Sequence, residues 1–257
     1  MVPSMPAIKT TVRDGWSFHL KPADPGHADG VARGGKDARR AGRRFERGFI
    51  MHISEGILSG PVLVSGMALA AAGTAAGLRK LDYDRIPRAG ILSASFFVAS
   101  LIHVPIGPSS VHLILNGIIG IILGWGAFPA ILVALTLQAL FFQFGGITTL
   151  GVNTVTMALP AVLCYFGFRL AVRKRASLVL PAAFTCGFLS VFLSAVMVGA
   201  ALVCTEGNFF KVSALVVTAH LPVMIIEGIV TAFCVAFLRK VQPTLLPGLP
   251  DPRPPVR

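Results

Sequence analysis

Met51-His52 places an imidazole directly after a methionine that opens a long apolar region. With Met51 as first residue, three nitrogens become available: its free amine, the amide of His52 and the His52 imidazole. Together they can close two fused chelate rings around a small transition-metal ion. These donors are nearly coplanar, and one more imidazole completes a square-planar, all-nitrogen set. That geometry suits Ni(II) and Cu(II) and accommodates Co(II). Zinc prefers a tetrahedron, and Mg or Ca prefer oxygen ligands.

Three more histidines and a carboxylate are candidates. His103 and His112 flank the Pro105 and Pro108 segment, and His220 lies in the last apolar stretch with Glu227 seven residues on. If His112 starts a helix, Asn116 shares its face at i+4 and can orient the imidazole; bonding to a neighbouring helix is the plainer role. Glu227 and His220 share a helix face with Met224 between them. An ionisable pair inside a span is either an ion or proton path or a buried polar pair that fixes helix packing. Cys164, Cys186, Cys204 and Cys234 show no Cys-x-x-Cys pairing and read as small buried hydrophobes.

The elements that must carry these residues are membrane spans. The 257 residues are 54% hydrophobic and 13% charged, too apolar for a soluble domain of this length. Ala89 to Phe168 contains 80 residues without Asp, Glu, Lys or Arg. Seven apolar stretches, near 57–78, 89–104, 111–125, 128–144, 147–171, 177–203 and 213–238, predict an all-α polytopic membrane protein of about seven transmembrane helices. Arg79, Lys80, Arg85 and Arg88 form one basic cluster; Arg169, Arg173, Lys174 and Arg175 form another; Arg239 and Lys240 end the last stretch. Seven passes put all three clusters on one side, and the positive-inside bias makes that side cytoplasmic. The N-terminus at Met51 is then outside, the C-terminus is cytoplasmic, and His52, His103, His112 and His220 gather toward the outer face. The net charge of +12 therefore reflects membrane anchoring and a basic leader rather than nucleic acid. In the first span Ala68, Ala72 and Ala76, with Gly73 and Gly77, offer a small-residue face for close helix packing or for a partner subunit.

Residues 1–50 carry ten of the 23 Lys and Arg residues and no period, as expected of a disordered basic extension. Such a segment would have to cross the membrane against the charge bias. The expectation is that Met51 is the real start. Arg43-Arg44 resembles an export signal, but no Ala-x-Ala cleavage site follows at a sensible distance. Gly30, Gly35 and Lys36 imitate a phosphate-binding loop; Asp37 replaces its Ser or Thr and no strand precedes it, so no ATPase activity is expected of this chain. Residues 51–240 form the membrane domain, and 241–257 a Pro-rich cytoplasmic tail.

Three separated blocks resemble one family. Met51-His52-Ile53-Ser54-Glu55-Gly56, Gly107-Pro108-Ser109-Ser110-Val111-His112 and Gly145-Gly146-Ile147-Thr148-Thr149-Leu150-Gly151-Val152-Asn153 are similar, in order, to those of the CbiM/NikM proteins. These are the cobalt- and nickel-binding membrane subunits of energy-coupling factor transporters. The resemblance implies that the Met51 amine, the His52 amide and imidazole, and the His112 imidazole hold the metal. Asn116, Asn153, His103, His220 and Glu227 remain orienting or pathway candidates. It also implies a transmembrane coupling subunit, two ATPase subunits and a small accessory membrane subunit, in a bacterial cytoplasmic membrane. No resident cofactor is expected, since Co(II) or Ni(II) is cargo; cobalt is favoured because no accessory domain is fused. The 50-residue extension and His103 depart from the family pattern. The alternative reading is a proton-coupled secondary permease working through Glu227 and His220, although no internal repeat supports it.

Overall fold

The computed structural model describes residues 53–106, 109–206 and 210–249. The expectations for residues 1–50, Met51 and His52, and for the tail beyond 249, fall outside the described residues. The helices are α1 (Gly60–Arg79), α2 (Ile86–Ala99), α3 (Asn116–Leu123), α4 (Ala127–Phe142), α5 (Leu150–Lys174), α6 (Val179–Thr205), α7 (Phe210–Ala219) and α8 (Leu221–Val241). Five stretches are long and apolar enough to cross a bilayer: Gly60–Arg79, Asn116–Phe142, Leu150–Lys174, Val179–Thr205 and Leu221–Val241. At 1.5 Å per residue, the 14-residue α2 is about 21 Å long, short of a full hydrocarbon core.

The Asn116–Phe142 stretch folds back on itself. Gly124 adopts φ 56° and ψ −120°, and Gly124–Gly126 forms a 3-10 turn. Before that turn α3 tracks along α5: Asn116 lies at Met157, Gly120 at Ala161 and Gly124 at Tyr165. After it, α4 tracks along α1 in the opposite sense: Trp125 and Pro129 pack at Gly77, and Phe128 at Gly73. The Lys80 ammonium lies 4.9 Å from the Trp125 ring, so the turn shares an end of the bundle with the first basic loop. The expected stretches 111–125 and 128–144 are therefore the two arms of one helical hairpin.

Three expectations require correction. The fold is helical apart from one short hairpin, in which strands β1 (His103–Ile106) and β2 (Ser109–His112) pair antiparallel in the register His103↔His112, Val104↔Val111, Pro105↔Ser110 and Ile106↔Ser109. Proline lacks the N–H a helix needs and restricts its predecessor, so Pro105 keeps β1 extended. For the same reason His112 closes a strand and does not start a helix. The last stretch, 213–238, divides at His220: Pro222 sits in the first turn of α8, where its missing N–H costs no helical bond. In α1 the buried face is Gly66, Ala70, Gly73 and Gly77, whereas Ala68 and Ala72 are exposed.

Candidate metal site

The chain immediately after His52 is held tightly. Ile53 donates its N–H to Asn153 Oδ1 at 3.1 Å, and Asn153 Nδ2 donates to the Ile53 carbonyl at 3.2 Å. Asn153 Nδ2 also lies 3.3 Å from Thr149 Oγ1, one turn earlier on the chain. Ile53 and Leu58 are buried with Val152 of α5, Val198 and Leu202 of α6 and Val216 of α7. Further along, Ser59 N–H donates to Thr205 Oγ1 at 3.3 Å, and Thr148 N–H to Glu55 Oε1 at 3.3 Å. Residues 53–59 are thus laid across the starts of α1 and α5 and the end of α6, the end of the bundle opposite the basic loops. Met51 and His52 lie outside the described residues, but their point of attachment is fixed here.

The β-hairpin delivers His112 to the same end. His112 is 2% exposed, and its Nδ1 lies 3.0 Å from the Leu113 carbonyl. A carbonyl only accepts, so Nδ1 carries the proton and Nε2 is the basic nitrogen, the arrangement a metal-ligating imidazole uses. Leu113 N–H in turn donates to the Ile102 carbonyl at 3.3 Å. His103 stands opposite His112 in the strand register.

Glu227 plays a part the sequence did not disclose. Its Oε1 accepts the N–H of Ile114 and, at 2.9 Å, that of Leu115; Oε2 lies 3.1 Å from Leu115 N. The carboxylate is fully buried. It therefore caps α3, whose own N-cap residue Leu115 has no side chain able to do so and sits at φ 60°. Glu227 and His220 do not form the expected pair. His220 Nδ1 donates to the Val216 carbonyl at 2.6 Å, and its buried Nε2 has no hydrogen-bond partner among the described residues. Val216 packs with Ile53, whereas Val223 and Met224 pack in the core with Ile114. The α7–α8 junction holding His220 thus lies between the buried cluster that includes Ile53 and the core that includes Ile114.

Asn116 serves helix packing. Its Nδ2 donates to Ser194 Oγ at 3.0 Å and lies 3.5 Å from the carbonyls of Met157 and Ser190. The Cys164 and Cys186 thiols each donate to the other's carbonyl, at 3.2 and 3.4 Å, inside the α5–α6 contact. Among the described residues no three His, Cys, Asp or Glu side chains converge on one point.

This combination defines a multi-pass membrane protein in which a histidine-bearing hairpin and the anchored segment 53–59 lie at one end of the bundle. The chain belongs to the CbiM family, described as the cobalt uptake substrate-specific transmembrane region, which it matches over residues 52–245. It is 41% identical over 199 residues to a protein of Haemophilus influenzae described as a metal transport protein, covering 76% of this chain and 97% of that one. It is 32% identical over 216 residues to the cobalt transport protein CbiM of Sorangium cellulosum, covering 77% and 96%. A crystal structure of a transition metal transporter superposes with a TM-score of 0.64 at 26% identity, covering 74% of this chain and 93% of that one.

Proposed function

We propose that this chain is the metal-capture membrane component of an energy-coupling-factor-type importer, with Co(II) as cargo and Ni(II) as the next candidate. The helical hairpin α3–α4 counts as two passes, which gives seven with α1, α2, α5, α6 and α8. The basic loops then face the cytoplasm of a bacterial cell, and residues 53–59 and the β-hairpin face outward. Metal is held by the Met51 amine, the His52 amide and imidazole nitrogens, and His112 Nε2. ATP is hydrolysed by two separate ATPase subunits, linked through a transmembrane coupling subunit and a small accessory membrane subunit.

The observation that carries this reading is the two-point grip of Asn153 on Ile53. A chelate built from backbone nitrogens needs its backbone held still, and the residue directly after the proposed donors is fixed on both its N–H and its carbonyl. Affinity falls in acid, because amine, amide and imidazole must all lose protons to bind.

The test is mass spectrometry of the native N-terminus combined with Co(II) and Ni(II) titration of the purified protein. A chain that begins at Met51, and that binds both ions more weakly in His52→Ala and in His112→Ala than in wild type, is expected. A metal-importing protein that keeps residues 1–50 intact, or His variants that bind as wild type does, overturns the donor set.

A further inference from the structure

We propose that Glu227 is the positioning residue for the His112 arm: from α8 it sets the backbone on which that imidazole is carried. The proposal rests on His112 being a metal ligand, as argued above. Three links join the two residues. The His112 ring is tied to the Leu113 carbonyl; the Leu113 N–H is tied to Ile102; the next two N–H groups, of Ile114 and Leu115, are both tied to the Glu227 carboxylate. No freely rotating residue separates the imidazole from the cap.

The need for a cap from a distant helix is local in origin. A helix starting at Asn116 leaves its first N–H groups unpaired, and an N-cap leucine supplies no oxygen. Leucine is also disfavoured at φ 60°, so the turn between His112 and α3 does not hold itself. Glu227 supplies both corrections with one carboxylate, and the positive end of the α3 dipole offsets its charge. Glu227 sits six residues, or about 9 Å, along α8 from Leu221, so the arm is pinned well inside the bundle.

The packing is built to permit this reach. A Cβ on Gly187 of α6 would come within 2.5 Å of the Glu227 carbonyl oxygen, and one on Gly117 of α3 within 2.8 Å of Gly187 Cα. Only glycine at these points lets α3, α6 and α8 approach closely enough for the carboxylate to meet the Leu115 N–H.

A double-mutant cycle tests the proposal on protein purified by a C-terminal tag from cells expressing the complete reading frame. Ni(II) is titrated into wild type, Glu227→Gln, His112→Ala and the double variant. The three remaining nitrogens keep binding measurable in the His112→Ala background. Glu227→Gln is expected to weaken Ni(II) binding about 10–100-fold when His112 is present, the usual effect of losing a residue that orients a ligand. It should weaken binding by less than about 2-fold when His112 is absent, because its effect passes through that ring. Adding Leu115→Asn, which tolerates the left-handed backbone, should recover most of the loss.

Equal losses in both backgrounds, or no loss in either, overturn the positioning role while leaving His112 as a ligand. Wild type and His112→Ala binding equally overturns the ligand assignment itself, and the positioning role with it. Should Glu227→Gln not accumulate, Gly187→Ala carries the same cycle, since its added methyl drives the Glu227 backbone away from α6.

Discussion

The side chain of Asn153 reads the backbone of Ile53 on both faces at once, accepting its N–H at 3.1 Å and donating to its carbonyl at 3.2 Å across 100 residues of sequence. This is how a strand neighbour would pair with Ile53, supplied here by one amide on α5. Asn153→Ala removes both bonds and costs about 2 kcal/mol of stability at roughly 1 kcal/mol each. Because Met51 and His52 are attached to that anchored residue, Co(II) affinity should fall about 10–100-fold. Asn153→Asp keeps the acceptor but sets an oxygen against the Ile53 carbonyl, so it should bind no better than Asn153→Ala. Calorimetric titration alongside thermal unfolding in detergent separates the two effects; unaltered affinity in both variants would remove the anchor from the account.

The electronic state of bound nickel reports the donor set directly. Four nitrogens in a plane give low-spin, diamagnetic Ni(II). Magnetic susceptibility of the Ni(II)-loaded protein should therefore show no unpaired spin. An octahedral, paramagnetic signal would mean that oxygen or water donors dominate and that the backbone chelate does not form.

Asn116 separates orientation of His112 from packing of the bundle. Its amide bonds Ser194, Met157 and Ser190, whereas the His112 ring is oriented by Leu113. Asn116→Ala should thus lower stability by about 1–3 kcal/mol through the buried groups it leaves unpaired. It should leave the visible spectrum of bound Ni(II) unchanged. A spectral shift in this variant would show that Asn116 does act on the ligand.

Much of the architecture was legible because charge is so sparse. The uncharged run from Ala89 to Phe168 requires buried or lipid-facing helices, and the Lys and Arg clusters mark their turns. Gly124–Gly126 separates two apolar arms even though no charge marks that turn. The segment Val111–Leu115 is ambiguous by pattern alone. A short apolar run fits helix and strand alike, and Pro105 and Pro108 were the signal that decides for the strand. The Glu227 cap was hidden for a different reason. Its partners are backbone N–H groups more than 110 residues away, which no side-chain pattern records. Helical spacing instead suggested His220, which turns out to sit at the start of α8 bonded to Val216. The Asn153 block was visible as a motif, but its partner, the backbone of Ile53, was not.

Gly146 offers a test of N-terminal anchoring that can be undone. Gly145 turns the chain at φ 76°, and a Cβ on Gly146 would overlap the Cγ and carboxyl group of Glu55. That glutamate holds the Thr148 N–H from the segment that follows His52. Gly146→Ala must therefore push Glu55 aside and, with it, shift residues 53–56 against the start of α5. Co(II) affinity should drop severalfold. The bond to Thr148 is exposed and worth about 1 kcal/mol or less, so Glu55→Ala alone should have a small effect. Combining the two removes the overlap, and Glu55→Ala/Gly146→Ala should bind Co(II) nearly as tightly as Glu55→Ala. If the double variant instead binds as weakly as Gly146→Ala, the loss arises from the Gly145–Gly146 turn itself and not from displacement of the segment that carries His52.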